Sequence, residues 1–268
     1  MSTTNQESGT KHQELTIGGF GDLLKPACPW MIGGFALPDG SFWAYREPNA
    51  IVVAQRQRLR VTAAPLTRGN DRVQILDNAK HMYFTRERVP VPEGGGLTVD
   101  VRIAARGFGT APGDLYDGFV SYNLLDFETG TAIDFFISND VIATVYARLP
   151  FPGVAVPETG DLRYYAVFKE LEVPTAPGQP HDYRITYDQD AARVRWWVDG
   201  ELVNEEENVP DQIRGFILAM GLMTEKDIQD GASVSVHGQG LQGEWSETRV
   251  TLSPAASDAT PSPDPSPT

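Results

Sequence analysis

Residues 132–138, "AIDFFIS", set one carboxylate among apolar side chains at alternate positions. In a strand, Asp134, Phe136 and Ser138 share a face. With residues 127–131 ("FETGT") read as a loop and Asn139-Asp140 as a turn, Tyr122, Leu124 and Ala143 join that face across three adjacent strands. An acid so placed either lies in a sheet interior, neutralised by a hydrogen bond, or lines a cleft. In a cleft, desolvation raises its pKa and fits it to donate a hydrogen bond or to act as a base. On the cleft reading Asp134, Tyr122 and Tyr146 are the candidate catalytic groups.

Aromatic side chains supply the candidate binding surface. Trp43 and Tyr45 follow an Asp-Gly in "GFALPDGSFWAY", and Tyr164 and Lys169 lie in "RYYAVFKE". Such rings stack on sugar rings or on polyenes, and core packing is the competing use. Phe136, Trp197 and His81 complete the set. His81 belongs to a polar cluster with Asp77, Asn78, Lys80 and Tyr83 that reads either as a strand or as a surface loop. If it is a strand, neighbouring Lys80 and His81 point to opposite faces, so at most one of them enters a cleft. His12, His181 and His237 are scattered, and the sequence contains no H-E-x-x-H, no G-x-x-x-x-G-K-[ST] and no G-x-S-x-G. The expectation is therefore a site without metal, cofactor or serine nucleophile.

Composition narrows the partners. The chain has 268 residues, with 22 basic and 36 acidic side chains and a net charge of −14, which repels phosphate backbones and anionic membranes. The beginning of the sequence lacks a basic segment followed by an apolar run, so a cytoplasmic location is expected. The apolar run "GFILAMGLM" is far short of the roughly 20 residues of a membrane span. Cys28 is the one cysteine, which excludes an internal disulfide and points to a buried thiol. The residues carry no mark of an oligomeric state.

The elements that must position these groups are strands. Segments such as "AIVVA", "LTVDVRIAA", "VIATVYA", "YRITYD" and "ARVRWWV" recur between clusters of Gly, Pro, Asn and Asp, and no long helical period interrupts them. This is the pattern of an all-β, two-sheet antiparallel sandwich or jelly roll. Residues 15–252 should form one such domain, with a flexible segment over 1–14 and a disordered Ser/Pro/Asp/Thr tail over 253–268. Within "VRWWVDGELV", Asp199-Gly200 suits a two-residue type I′ turn. The alternation then turns Val194, Trp196 and Val198 inward, and leaves Trp197 on the face of Arg195, either capping a partly solvated sheet or lining a concavity.

The run "HDYRITYDQDAARVRWWVDGELV", from His181 to Val203, resembles the concanavalin A-like lectin and glucanase superfamily. "DNAKHMYFT", "GFVSYNLLDFETGTAIDFF" and "IATVYARL" are similar to a group of uncharacterised actinobacterial proteins associated with it. The resemblance implies two packed antiparallel sheets and a concave ligand-binding face. Retaining glucanases of the superfamily carry E-x-D-x-x-E along one strand, whereas "AIDFFI" keeps only the middle acid, Asp134. A lone carboxylate cannot serve as both nucleophile and acid, so a glycosidase of that type is not expected. Two functions remain: a small-molecule cyclase or isomerase of specialised, polyketide-type metabolism that folds a flexible apolar substrate in an aromatic-lined cleft, and a glycan-binding module without catalysis.

Overall fold

The computed structural model describes residues 12–23, 25–36, 39–55, 57–69, 79–149, 154, 164–226 and 228–255. The expectations for 1–11 and for 256–268, and the positions of Asp77 and Asn78, lie outside them. In chain order the strands are β1 (Gln13–Ile17), β2 (Trp30–Ile32), β3 (Gly34–Ala36), β4 (Phe42–Ala44), β5 (Ala50–Gln55), β6 (Arg58–Ala63) and β7 (Lys80–Thr85). Then follow β8 (Val89–Pro90), β9 (Gly96–Phe108), β10 (Phe119–Asp126), β11 (Thr131–Ile137), β12 (Ile142–Arg148), β13 (Tyr165–Glu170) and β14 (Pro180–Asp188). The last are β15 (Arg193–Val198), β16 (Glu201–Glu207), β17 (Gly215–Met223), β18 (Ile228–Gln229), β19 (Ala232–Ser233), β20 (Gly240–Ser246) and β21 (Thr248–Ser253). The helical turns Phe20–Asp22 and Leu115–Asp117 are of the 3-10 type. No helix among the described residues is long and apolar enough to cross a membrane.

Two antiparallel sheets form the sandwich. One runs β16-β15-β14-β9-β20-β6-β5, with β21 on β9 and β1 on β21. The other runs β13-β12-β11-β10-β17-β7-β2, with β8 on β17. β1 pairs with β21 from Gln13 to Ile17, so the strands of the described residues run from Gln13 to Ser253. The Asp-Gly hairpin forms as its residues require: Asp199 and Gly200 both have positive φ, 49° and 88°.

The inner faces of the two sheets meet in a core that includes Ile133, Phe135, Tyr183, Tyr187, Trp196 and Trp245. Two indoles tie the sheets together. Trp196 Nε1 donates to the Asp134 carbonyl at 3.2 Å, and Trp245 Nε1 donates to the Ser121 carbonyl at 3.3 Å. The central strands of the second sheet, β10, β11 and β12, are buried on both faces. A second apolar cluster, with Met82, Leu125, Phe136, Val145 and Met223 among its members, therefore covers the outer face of that sheet. A sheet solvated on one side would alternate apolar with polar residues, and these strands do not.

The register corrects the expected grouping around Asp134. Asp126 pairs with Thr131, so the connection between β10 and β11 is the four residues 127–130 rather than the five of 127–131. That one-residue difference places Asn123, not Leu124, opposite Asp134, and Tyr122 opposite Phe135. Tyr122 and Leu124 consequently face the core, away from Asp134. Tyr122 hydrogen-bonds Thr248 Oγ1 there at 2.8 Å. Tyr146, opposite Ile133, is on the same inner face. The short turn is built by Asp126, whose carboxylate accepts from the Glu128 N–H and the Thr129 hydroxyl, and by Gly130, whose φ is 81°.

Candidate functional site

On the outer face of the second sheet lies a cavity of about 440 Å³. Its floor comes from alternate residues of β10, β11 and β12: Asn123 and Leu125, Asp134 and Phe136, Val145 and Ala147. One wall is Met82 of β7 with Phe84, Phe35 and Tyr45. Phe127 belongs to that side, its ring 6.2 Å from Phe84. On the opposite wall Tyr116 and Phe168 meet, their centroids 5.6 Å apart. Tyr45 is held because its N–H donates to the Gly33 carbonyl while its own carbonyl accepts from Met82 N–H. Its ring lies 5.7 Å from Phe35 and 6.1 Å from Phe84. Glycine is required at position 34, since an added Cβ would fall 2.4 Å from the Trp43 carbonyl oxygen.

Among the described residues, two carboxyl groups and one amine enter this largely apolar space: Asp134, Glu225 and Lys80. Asp134 is 5 % exposed, and its Oδ1 has no hydrogen-bond partner among the described residues. Burial raises its pKa well above the usual carboxylate range, and the charge of Glu225 pushes it further in the same direction. Lys80 opposes both effects without reversing them. Burial also raises the pKa of Glu225, with Lys80 again opposing. The Lys80 ammonium stands 5.5 Å from the centre of the Tyr45 ring, and burial pushes the Tyr45 phenol up to about 12. Asn123 completes the polar patch. Its amide nitrogen donates to Ser121 Oγ at 3.0 Å and to the Ala219 carbonyl at 3.2 Å. An acid held neutral in this setting can donate a hydrogen bond or a proton to a ligand oxygen, while a second carboxyl beside a lysine accepts one.

Of the residues singled out in the sequence, the cavity brings together Asp134, Phe136 and Tyr45. The others stand elsewhere. Tyr122 and Tyr146 are in the core between the sheets. His81 is on the inner face of β7, where its Nδ1 accepts from the Glu47 N–H at 3.2 Å. Trp43 packs under the Arg68 guanidinium, 3.9 Å from its ring centre. Lys169 Nζ donates to Asn204 Oδ1 at 3.1 Å, and so links β13 to β16. Tyr164 is exposed ahead of β13. Trp197 lies on the outer face of the first sheet, beside Asp100 and Arg184. Lys80, Asn123 and Glu225 were not singled out as a site. Lys80 was half legible, because the alternation in β7 lets at most one of it and His81 reach the cleft. Glu225 follows β17 and reaches the cavity only through the fold: its N–H donates to the Tyr116 carbonyl at 2.9 Å. Among the described residues the cavity thus holds two carboxyl groups where the strand motif alone supplies one.

The fold is shared with solved carbohydrate-active enzymes. The catalytic domain of an endo-1,3-β-glucanase (laminarinase) from Thermotoga petrophila RKU-1 aligns with a TM-score of 0.56 at 15 % identity, over 91 % of this chain and 99 % of that one. An endo-1,3-β-glucanase from Streptomyces sioyaensis aligns with a TM-score of 0.54 at 15 % identity, over 94 % of this chain and 100 % of that one. An endo-β-1,4-glucuronan lyase from the fungus Trichoderma reesei aligns with a TM-score of 0.51 at 16 % identity, over 84 % and 94 %. At these identities the likeness is one of fold: a concanavalin A-like jelly roll. No curated protein matches the sequence. The match that spans the sandwich, residues 20–254, is to a family described as "Family of unknown function (DUF6081)", and the chain belongs to that family.

Proposed function

We propose that the outer-face cavity binds a small, uncharged, largely apolar molecule bearing a carbonyl or hydroxyl oxygen, and that Asp134 acts on that oxygen as an acid in an isomerisation or cyclisation. The observation that carries this reading is the buried Asp134 carboxyl, without a partner on Oδ1 among the described residues, facing an apolar cavity that also holds Glu225 and Lys80. For a β,γ-unsaturated ketone the step balances within the site. Asp134 gives its proton to the carbonyl oxygen as Glu225 takes one from the α carbon, leaving a dienol. Return of that proton to the γ carbon, with Asp134 recovering its own from the oxygen, yields the conjugated isomer. General acid and base each contribute on the order of 10²- to 10⁴-fold to such reactions, and the aromatic walls hold the substrate in a reactive geometry.

A glycan is the second reading. It is favoured by the aromatic rim of Tyr45, Phe84, Tyr116 and Phe168 beside two carboxyl groups, and by fold relatives named for their action on β-glucans. Against a deeply seated sugar stands the floor itself. Hydroxyls laid on Leu125, Val145, Ala147 and Met223 would lose their water without gaining partners, at about 1–3 kcal/mol each.

The readings separate in one experiment. Wild type and Asp134→Asn are titrated calorimetrically with bicyclic enones and with laminari- and cello-oligosaccharides. Enone α-proton exchange in D₂O is followed by NMR. We expect enone binding by both proteins and exchange catalysed only by wild type. Saturable oligosaccharide binding without enone binding would replace this reading with the glycan module.

A further inference from the structure

A second cavity, of about 620 Å³, lies on the other face of β7. The alternation that sends Lys80 and Met82 to the outer face turns His81 and Tyr83 into this one, where Phe20, Leu23 and Val52 form apolar walls. His81 and Tyr83 are 3 % and 6 % exposed.

Their hydrogen bonds fix which group has a proton to offer. His81 Nδ1 accepts from the Glu47 N–H, so the ring proton of the neutral imidazole is on Nε2, 3.3 Å from the Tyr83 oxygen. Burial lowers the His81 pKa to about 4, which keeps this neutral tautomer through neutral pH. Tyr83 therefore accepts from His81, and its own proton is available to a third group. Among the described residues its hydroxyl has no other partner.

Among the described residues, the other charged side chains of the cavity already have partners. Lys25 pairs with Asp22 at 2.6 Å. The Glu47 carboxylate accepts from the Thr67 hydroxyl and, at 3.0 Å, from the Arg68 N–H. Arg46 is exposed at the cavity, and its charge acts on both His81 and Tyr83. Its guanidinium has no ion-pair or hydrogen-bond partner among the described residues. Two donors, one neutral and one cationic, thus line the same cavity as the apolar wall.

We propose that this cavity binds a monocarboxylate with a compact apolar body, the carboxylate taken by the Tyr83 hydroxyl and the Arg46 guanidinium and the hydrocarbon packed on Phe20, Leu23 and Val52. The site is separate from the outer-face cavity and does not depend on the function proposed there.

Phenylacetate is the probe, titrated into the full chain by calorimetry, with phenylacetamide as the uncharged control. The expected result is saturable phenylacetate binding with a Kd of about 1 mM or tighter. Tyr83→Phe and Arg46→Gln should each weaken it at least tenfold, and the amide should bind at least tenfold less tightly than the acid. Arg46 is exposed, so its variant keeps the fold even if Tyr83→Phe disturbs the interior. Absence of saturable binding, affinity unchanged in both variants, or equal affinity for the amide would each overturn the assignment.

Discussion

Asp134 is the residue on which the site turns, and its protonation has a consequence for stability. A carboxyl whose pKa is raised by folding binds its proton more tightly in the folded chain than in the unfolded one. The stability this gives is fully present below the unfolded value, 3.8, and is lost as pH rises toward the folded value. The loss runs at about 1.4 kcal/mol per pH unit across that window. Asp134→Asn removes the effect and keeps the shape. The variant should therefore gain on wild type as pH increases: a melting temperature close to wild type at pH 4 and clearly above it at pH 7. Melting curves across that range check the sign, and a gap independent of pH would mean that Asp134 titrates alike in both states. His81 runs the other way, because its folded pKa is lowered to about 4. Its contribution is complete above the ordinary histidine value and fades as pH falls through the window below 6.5. The comparison of Asp134→Asn with wild type cancels it.

At the scale of the element, the hairpins decide what each residue faces. Trp196 is fully buried and donates to the Asp134 carbonyl, so it both fills the core and fixes the strand beneath the cavity. Trp196→Ala should lower stability by about 3 to 5 kcal/mol, read as a shift in the urea midpoint, and an unmoved midpoint would contradict the inward facing of that ring. Gly130 matters for its conformation. Its φ is 81°, and an added Cβ would sit 2.5 Å from the Leu149 carbonyl oxygen. Gly130→Ala should destabilise by more than about 1 kcal/mol, measured the same way, and a cost near zero would show that the four-residue turn is not tightly held. The same turn marks the limit of what the sequence discloses. The strand pattern, the Asp-Gly hairpin and the inward Trp196 follow from alternation and turn chemistry, which act over a few residues. The face shared by β10 and β11 depends on whether "FETGT" contributes four loop residues or five, and Thr131 has no local property that says it belongs to the strand. Asp134 and Phe136 were legible because they sit on one strand. Tyr122 was misplaced because its face is inherited from the turn. Glu225 was missed because only the assembled sandwich brings it to Asp134.

At the scale of the whole molecule, the sandwich separates two apolar regions that the sequence runs together. One is the core between the sheets, the other the outer face of the second sheet, where polar groups converge in a cavity. The central claim is that this outer cavity receives the enone. The methionines report on it directly. Met82 and Met223 line the cavity, Met220 is in the inter-sheet core, and Met31 is exposed on β2. The most direct measurement is a titration of protein labelled with ¹³C in the methionine methyl groups, using the enone that binds most tightly. The Met82 and Met223 methyl resonances should move together along one saturation curve, with Met220 and Met31 fixed. Saturable binding that leaves Met82 and Met223 unmoved would place the ligand elsewhere and contradict the account.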